Sequence, residues 1–490
     1  MLRVPQVGLR RVPRTAWACA LIAVVNAACW SLITPPFQAP DEPSHFAYVQ
    51  RLAETGMLPA SGAYEFSQEE EVALRDLHQA EVQWHPEVHT ISSAADQRQL
   101  QRDQAAQLSR VGPGGAGAAA PEPPAYYALE TLPYYLGSGG TLLDRLELMR
   151  LLSALMAGVS ALFAFLFVRE CLPGERWAWA VGGLGVALLP LLGFTSGIVS
   201  PDAMLIAVSS AIFYCLARAF RRGLSRRLAV AIGSLMALGL LVKVNFVGLL
   251  PGLLLGLLLL GLRGHGEAAS HRRAFNSAAI AAAIGLTPVA GYVLVNLAGH
   301  SQTLGLVTHA VTLTRAQRSL SEELAYVWQL YLPRLPGMAS EFSGLSTTRE
   351  LWFDRAVGLY GWLDTGFPVW VYKLALIPTA AIALLAARTL ASRRSVVRRR
   401  VAELATYAAM SLGVLVLIGA DSRLSQQVEG TSYAQPRYLL PMLPLLAAAL
   451  AIGARGAGRR WGPAAGTLIV TVFLAQDLFS QLQVIARYYG

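Results

Sequence analysis

Long apolar blocks with almost no charge run through most of this 490-residue chain. Residues 249–262 and 278–297 are two examples, and short arginine-rich stretches separate such blocks. A helix needs about 20 apolar residues to cross a hydrocarbon layer of about 30 Å. Only 14% of the residues are charged, against roughly 25% in an ordinary soluble domain. The chain is therefore predicted to be an all-α polytopic membrane protein, and a disordered chain or a soluble nucleic-acid-binding protein is excluded.

About eleven segments have the length and apolarity of membrane-spanning helices. The predicted spans are 17–34, 148–168, 177–196, 202–220, 228–246, 247–262, 276–298, 367–388, 402–420, 437–454 and 464–485. They divide the chain into a tail with the first span (1–34), a first polar loop (35–147), spans two to seven (148–298), a second polar loop (299–366) and spans eight to eleven (367–490).

The distribution of basic residues predicts the orientation. Of the 40 lysine and arginine residues, 23 lie in six short segments between or before the spans: 1–16, 169–176, 218–227, 263–273, 388–400 and 455–460. Short loops rich in arginine stay in the cytoplasm. We therefore predict a cytoplasmic N-terminus and two large loops facing outward, and we attribute the net charge of +10 to topology rather than to nucleic-acid binding.

A proline-rich segment with several ionisable groups follows the first span. Its prolines are Pro35, Pro36, Pro40 and Pro43, and the side chains among and after them that suit chemistry or binding are Asp41, Glu42, His45 and Tyr48. Prolines stiffen the backbone, as a positioned catalytic group requires. Asp41 just before Pro43 is equally typical of a helix start. Residue types alone leave both interpretations open, and a short amphipathic helix is predicted over 49–59.

Three later motifs accompany this segment in a fixed order. They are Glu122-Pro123-Pro124-Ala125-Tyr126-Tyr127, Tyr360-Gly361-Trp362-Leu363-Asp364-Thr365, and Gln435-Pro436-Arg437-Tyr438-Leu439-Leu440-Pro441. Together the four stretches resemble a family of bacterial predicted membrane proteins, long classed as a domain of unknown function, within the GT-C superfamily of glycosyltransferases. The resemblance covers about residues 30–450. One departure is Pro436, where the family usually has glycine.

The resemblance implies a GT-C-type helical bundle in a bacterial cytoplasmic (inner) membrane, with an active site that faces outward. It also implies transfer of a sugar from a polyprenyl-phosphate carrier to a glycan, lipid or protein acceptor of the cell envelope, among membrane lipids. The Asp-Glu-x-x-His-Phe arrangement resembles the first loop of protein O-mannosyltransferases, which assigns the base to Asp41. Glu42 is then expected to orient Asp41 or to share a metal or donor contact. No cofactor is certain, and a divalent cation at Asp41 and Glu42 stays open.

The chemistry of such a transfer selects further candidates. An acceptor hydroxyl needs a base, and the leaving phosphate needs cations or dipoles. The candidate donor-binding residues are His45, Lys243, Arg437 and Tyr438, with Arg315, Arg318 and Arg334 of the second loop as further cations. Lys243 and Arg437 lie near the outer ends of spans, where an ionisable group is a functional candidate. Extension of the lysine to the interface explains Lys243 equally well.

Other polar and aromatic residues are expected to line the acceptor cleft. They are Tyr48, Tyr126, Tyr127, Asp202, Trp362 and Asp364. For Asp202, which begins a span, helix capping is the alternative. Because Asp41 and Glu42 are adjacent, their mutual repulsion and partial burial are expected to raise the pKa of the base. Either effect can be cancelled by His45 or by a bound cation.

Two other function classes compete with glycosyl transfer: a transporter or flippase for lipid-linked saccharides, and a non-catalytic scaffold. A transporter typically contains internal repeats, broken helices and charges at the membrane midplane. The sequence contains no visible repeat, and its suggestive polar groups cluster at the outer rim. Glycosyl transfer is therefore the leading hypothesis.

Overall fold

The computed structural model describes residues 12–59, 65–89, 92–113, 115–263, 268–297, 320–338, 348–429 and 434–490. Helices dominate this part of the chain. The α-helices are α1 Arg14–Ile33, α2 Glu42–Thr55, α3 Gln68–Asp76, α4 Gln79–Val82, α5 Ala94–Ala105, α6 Ala125–Leu136, α7 Leu142–Cys171, α8 Arg176–Ala187, α9 Pro190–Ser196, α10 Pro201–Arg222, α11 Arg226–Val242, α12 Leu250–Leu262, α13 Ala268–Leu297, α14 Leu320–Tyr331, α15 Arg355–Gly358, α16 Val369–Ser392, α17 Arg394–Arg399, α18 Val401–Glu429, α19 Leu443–Gly456 and α20 Gly458–Tyr489.

Shorter elements connect these helices. Three are 3₁₀ helices, Gly117–Ala119, Val244–Leu249 and Pro436–Met442, and Glu350–Asp354 is a π-helical turn. Within the described ranges, the strands are β1 Leu359–Tyr360 and β2 Thr365–Gly366. They pair antiparallel, with Leu359 opposite Gly366 and Tyr360 opposite Thr365. The all-α prediction is confirmed.

Nine helices among the described residues are long and apolar enough to cross a membrane. The helices α8 and α9 meet at an angle of 53° and make a tenth candidate when taken as one broken span. The break lies at Pro190, which has no N–H to continue the preceding helix. The predicted number of eleven is not confirmed, because the segment predicted at 228–246 contains a helix of only 17 residues, α11.

The helix α7 lies at the centre of the bundle, where it packs against α1, α8 and α10. Gly158 allows α7 and α1 to approach closely, since a Cβ atom there would lie 3.0 Å from the carbonyl oxygen of Ala20 and still closer to Val24. The long helices start and end near the two faces of the bundle. We call the face that carries residues 35–147 the loop-one face.

The first loop is largely helical and folds onto α6 and α7. The helix predicted over 49–59 begins earlier, at Glu42, and ends at Thr55, where Gly56 adopts a left-handed φ of 68° that suits a glycine cap. Two short helices follow in the same loop, α3 and α4. Because α2 packs against α6, the proline-rich segment is brought beside the motif Glu122–Tyr127.

Candidate active site

The backbone of the proline-rich segment is strained at Asp41. This residue has φ 65° and ψ 0°, a left-handed conformation, directly before α2, and Phe37 has a φ of 62°. Such conformations cost a non-glycine residue about 1–3 kcal/mol and concentrate at functional sites. Asp41 occupies the position of a helix cap, but its side chain makes no capping hydrogen bond. The capping interpretation is therefore wrong for the carboxylate.

The Asp41 side chain begins a chain of alternating charges. Arg437 Nη2 lies 2.7 Å from Asp41 Oδ2, and Arg437 Nε lies 4.0 Å from Asp202 Oδ2. Lys243 Nζ donates to Asp202 Oδ1 at 2.9 Å. With His45, these residues form what we call the Asp41 cluster. Three predicted candidates from distant parts of the sequence are thus brought to the predicted base.

Helix ends position the members of the Asp41 cluster. Lys243 directly follows α11, and Asp202 lies in the first turn of α10. Arg437 is the second residue of its 3₁₀ helix, after Pro436, whose fixed φ suits a helix start. The departure from the family motif at Pro436 thus keeps the arginine at a helix start.

Burial distinguishes the cations of the cluster from interfacial residues. Lys243 is 6% exposed and Arg437 is 9% exposed. Lys243 therefore does not extend to the interface. The ring centroid of Tyr438 lies 5.8 Å from Lys243 Nζ and 5.4 Å from Arg437 Cζ, within the range of a cation–π contact.

The alternative role for Asp202, helix capping, belongs to its neighbour. The hydroxyl of Ser200 accepts a hydrogen bond from the Asp202 backbone N–H at 3.3 Å. The Asp202 carboxylate is left to bind Lys243. Asp202 therefore belongs to the cluster and contributes no cap.

The charge of Arg437 controls the protonation of Asp41. Burial alone would raise the pKa of the Asp41 carboxyl group. The charge and hydrogen bond of Arg437, with smaller contributions from its neighbours that include Lys243, together outweigh burial, and the pKa lies below its usual range. Cations of the protein itself thus cancel the expected rise in this pKa. The side chain of Asp41 is 37% exposed, so the carboxylate is ionised and accessible at neutral pH.

His45 contributes a neutral ring to the cluster. Burial lowers the pKa of the His45 imidazole to about 3, so the ring is uncharged at pH 7. Its Nδ1 shares a hydrogen bond of 3.0 Å with the hydroxyl of Tyr127, and the ring of Tyr127 packs against Tyr48 at 3.7 Å between centroids. As a donor-binding residue, His45 can offer a hydrogen bond but no charge.

Glu42 belongs to a different cluster from Asp41. Its carboxylate is fully buried and binds Arg150, with Nε–Oε1 at 2.8 Å and Nη2–Oε2 at 2.6 Å. It also accepts hydrogen bonds from the backbone N–H groups of Phe37 and Val199, at 3.1 Å and 3.0 Å. Glu42 therefore neither orients the Asp41 carboxylate nor repels it, which corrects the predicted pairing.

Arg150 ties the strained segment to the bundle. Besides Glu42, its guanidinium donates to the carbonyl oxygens of Ser31, Thr34 and Pro35, at 2.8–3.1 Å. We call Glu42, Arg150 and these backbone groups the Glu42 anchor. Because α7 carries Arg150, the anchor fixes the end of α1 and the start of α2 to the central helix.

The two carboxylates do not fit a shared divalent cation. Asp41 faces Arg437 and Glu42 is saturated by Arg150, so no pair of free carboxylate oxygens is available. Among the residues that the structure describes, no group of three or more His, Cys, Asp or Glu side chains could hold a metal ion.

Several other candidates lie apart from the Asp41 cluster. Tyr126 is fully buried and bonds to Ser153 at 2.8 Å, and Tyr48 donates to the carbonyl oxygen of Glu122 at 3.2 Å. Neither tyrosine is exposed to an acceptor, so both serve as buried packing beneath the site. Arg334 is exposed on the second loop. Arg315 and Arg318 lie outside the described residues.

The motif that contains Trp362 and Asp364 packs against the C-terminal helix. Asp364 lies 4.0 Å from Arg487 of α20 and accepts a hydrogen bond from Thr365 at 3.1 Å. The ring of Trp362 contacts Trp84 at 5.8 Å. Neither side chain contacts the Asp41 cluster, which corrects their predicted place in the cleft.

Sequence reasoning overlooked Glu122 and Arg150 as individual residues. Glu122 accepts a hydrogen bond from the N–H of Val244 at 3.2 Å, next to Lys243. Burial raises the pKa of Glu122 above its usual range, although Lys243 opposes this. An available signal for Arg150 was a charge inside the predicted span 148–168, since such residues are rare without a specific partner.

Comparisons with known proteins identify the family. A family described as "Predicted membrane protein (DUF2142)" matches residues 25–446. The chain belongs to this family. The resemblance inferred from the four motifs is thereby confirmed at the level of the predicted membrane protein family. No curated protein matches the sequence.

Among solved structures, the chain is similar to the oligosaccharyltransferase of Archaeoglobus fulgidus. Against its apo form, the identity is 11% and the TM-score 0.44, with 97% of this chain and 56% of that chain covered. Against the form tethered to an acceptor peptide, the identity is 12% and the TM-score 0.43, with 97% and 55% covered. The chain thus spans about half the length of that protein.

Proposed function

We propose that this protein transfers a sugar from a polyprenyl-phosphate carrier to an acceptor hydroxyl outside the cytoplasm, with Asp41 as the base. One observation carries the proposal: an accessible carboxylate, held in a left-handed backbone conformation, is paired with a buried arginine. Backbone strain of this kind concentrates at functional sites, and here it occurs at a residue whose carboxylate is exposed. The motif resemblance to GT-C glycosyltransferases supplies the reaction class.

In this reaction, the acceptor oxygen attacks the anomeric carbon of the sugar. The bond from that carbon to the carrier phosphate breaks, and the acceptor proton passes to Asp41. An ionised carboxylate at neutral pH is the form that a base requires. The lowered pKa of Asp41 keeps it in that form, although it makes the carboxylate a weak base while Arg437 is bound to it.

Donor binding would change this balance. Arg437 Nε is buried without a hydrogen-bond partner among the described residues, and a guanidinium binds phosphate through parallel N–H donors. A carrier phosphate that engages Arg437 would weaken its hold on Asp41, and the pKa of the carboxyl group would then rise. Lys243 would supply a second positive charge for the leaving phosphate. The base would thus become stronger when the donor is in place.

A small apolar pocket beside Arg437 suits the first part of a prenyl chain. Pro40, Leu191, Phe194, Leu359 and Leu363 contribute to its lining. Its volume is about 20 Å³, room for about one water molecule. Side chains must therefore move before a donor enters. The β1–β2 hairpin, which carries the motif Tyr360–Thr365, contributes to this pocket through its leucines rather than through Trp362 and Asp364.

A direct transfer assay tests the proposal. Purified protein in lipid nanodiscs is incubated with radiolabelled polyprenyl-phosphate sugars and an envelope fraction as the acceptor. We expect transfer of label with at least one donor, and loss of transfer in Asp41→Asn. The matched control is Asp103→Asn, an equal change in the same loop at a carboxylate that pairs with Arg75 and contacts no member of the Asp41 cluster, which should retain full transfer.

Two results would contradict glycosyl transfer. One is the absence of transfer with every donor together with movement of the lipid-linked sugar across proteoliposomes, which is the behaviour of a flippase. The other is transfer by Asp41→Asn at the parent rate in protein that is fully folded.

A further inference from the structure

A cavity lined by arginines lies at the opposite face of the bundle from the Asp41 cluster. Its volume is about 120 Å³, room for several water molecules at roughly 30 Å³ each. Charged residues at the ends of α7, α10, α12 and α17 and at the start of α18 line it: Glu170, Arg221, Arg263, Arg399, Arg400 and Glu403. Because α10 carries both Asp202 and Arg221, the two sites are separated by about 30 Å at 1.5 Å per residue.

The acidic residues of this basic pocket already have partners. Glu170 is 3% exposed and lies within ion-pair distance of three arginines: Arg218 at 3.9 Å, Arg221 at 3.0 Å and Arg222 at 2.8 Å. Glu403 accepts a hydrogen bond from the Tyr407 hydroxyl at 3.1 Å. The negative charge of Glu170 is therefore more than balanced by its own neighbours.

The other arginines of the pocket have neutral partners. Arg263 donates to the carbonyl oxygen of Phe220 at 3.4 Å, and Arg400 donates to that of Cys171 at 3.0 Å. Within the described ranges, no carboxylate lies within ion-pair distance of Arg263, Arg399 or Arg400. A carbonyl oxygen accepts a hydrogen bond without cancelling the charge. Glu403 of the same lining is close enough for the charges of Arg400 and Arg263 to act on it. The three guanidinium groups therefore carry a positive charge that this single acid only partly balances.

We infer that the basic pocket binds the phosphate group of an anionic phospholipid in the adjacent leaflet. Guanidinium groups bind phosphate oxygens through paired N–H donors, and basic pockets between spanning helices bind lipid head groups. Apolar neighbours of the lining residues favour a lipid over a soluble phosphate: Leu262, Val401 and Leu404 are 61%, 58% and 42% exposed. These side chains are placed to contact acyl chains beside the bound head group.

Lipid titration of the full-length protein in detergent tests this inference. Delipidated protein is titrated with phosphatidylglycerol and, as a zwitterionic control, phosphatidylcholine, and bound lipid is counted by native mass spectrometry. The pocket variant is Arg399→Gln with Arg400→Gln. The matched control is Arg393→Gln with Arg394→Gln, which removes the same charge from two positions of the same basic segment that do not line the cavity.

We expect selective binding of phosphatidylglycerol and a specific loss in the pocket variant. At about fivefold per arginine near an anionic surface, the apparent Kd should rise roughly 25-fold in the pocket variant and less than about threefold in the control. Should loss of the Arg400 bond to Cys171 prevent folding, Arg399→Gln alone decides. The side chain of Arg399 makes no hydrogen bond within the described residues, and its loss should weaken binding about fivefold.

Two outcomes would overturn the inference. Equal weakening in the pocket and control variants would mean that the arginines act only as a diffuse surface charge. In a separate arm, the thermal stability is measured with 10 mM inorganic phosphate. Stabilisation by inorganic phosphate as large as that by phosphatidylglycerol, and equally sensitive to Arg399→Gln, would identify a soluble anion as the ligand.

Discussion

Two ion-pair clusters begin at adjacent residues, Asp41 and Glu42, and they differ in almost every physical respect. The Asp41 carboxylate is 37% exposed and contacts a single arginine, Arg437. The Glu42 carboxylate is fully buried and accepts hydrogen bonds from two Arg150 nitrogens and two backbone N–H groups. One acid retains room for a substrate, and the other has none.

The comparison assigns a structural role to Glu42 and a chemical role to Asp41. The Glu42 anchor fixes the ends of two helices, and between them the backbone is forced into two left-handed residues, Phe37 and Asp41. A buried ion pair with every polar atom satisfied depends on both partners. Asp41, whose side chain is 37% exposed, can therefore be changed with little loss of stability, whereas the buried members of the anchor cannot. Each prediction below tests that division.

The largest expected effect is the loss of turnover in Asp41→Asn. Removal of a positioned base lowers the rate by about 10²–10⁴-fold. The melting temperature should stay close to that of the parent, because asparagine tolerates a left-handed backbone well. Rates come from the transfer assay and melting temperatures from a thermal denaturation curve in detergent. A large fall in melting temperature would show that Asp41 belongs to the anchor.

The second prediction concerns stability rather than turnover. Glu42→Gln leaves Arg150 buried without its anion, which should lower the free energy of unfolding by about 3–5 kcal/mol. Thermal denaturation measures this, with Glu87→Gln as the matched control at an exposed position of the same loop. If Glu42→Gln abolishes turnover at an unchanged melting temperature, the roles of the two acids are exchanged.

The sequence predicts the fold and several residues of the site, but it does not predict which charged residues pair with each other. Apolar block length predicts the helical membrane fold, and the Asp41 segment, Lys243 and Arg437 are visible as charges at the ends of spans. The sequence does not show which acid faces which arginine. Asp41 and Glu42 are neighbours along the chain, yet the left-handed backbone at Asp41 turns their side chains to different helices.

Misplaced candidates have a similar cause. Trp362 and Asp364 belong to a recognisable motif, but a two-residue strand pair turns their hairpin toward α20 and leaves its leucines beside Arg437. Arg150 was overlooked because most of its partners are backbone carbonyl oxygens at the end of α1 and just after it, and the pattern of side chains does not reveal such partners. Long-range pairing of this kind depends on how the helices pack.

The third prediction is a shift in pH dependence in Arg437→Gln. In the free parent, Arg437 lowers the pKa of Asp41 below its ordinary value of 3.8. The kcat/KM for the donor reports the free enzyme, so it should not fall between pH 7 and pH 5. Without the positive charge, burial dominates and the pKa rises, and the loss of kcat/KM on acidification should begin at higher pH. The rate at pH 7 should also fall roughly tenfold to a hundredfold through the lost phosphate contact.

Arg437→Lys is the control for this shift. Lysine keeps the charge but not the paired donors, so its pH profile should resemble that of the parent even where its rate is lower. An acid limb at the same pH in Arg437→Gln and in the parent would exclude control of Asp41 by Arg437.

The smallest effect is expected for Asp364→Asn, which distinguishes the hairpin of the third motif from the Asp41 cluster. Asp364 contacts Arg487 and Thr365 but no member of the cluster, so turnover should stay within about twofold of the parent.

Burial raises the pKa of Asp364 above its ordinary value of 3.8. A carboxyl group with a raised folded-state pKa loses stability as the pH rises through that range. The melting temperature of the variant minus that of the parent should therefore be more positive at pH 7 than at pH 4. A hundredfold loss of turnover at an unchanged melting temperature would instead place the Asp364 side chain within the active site.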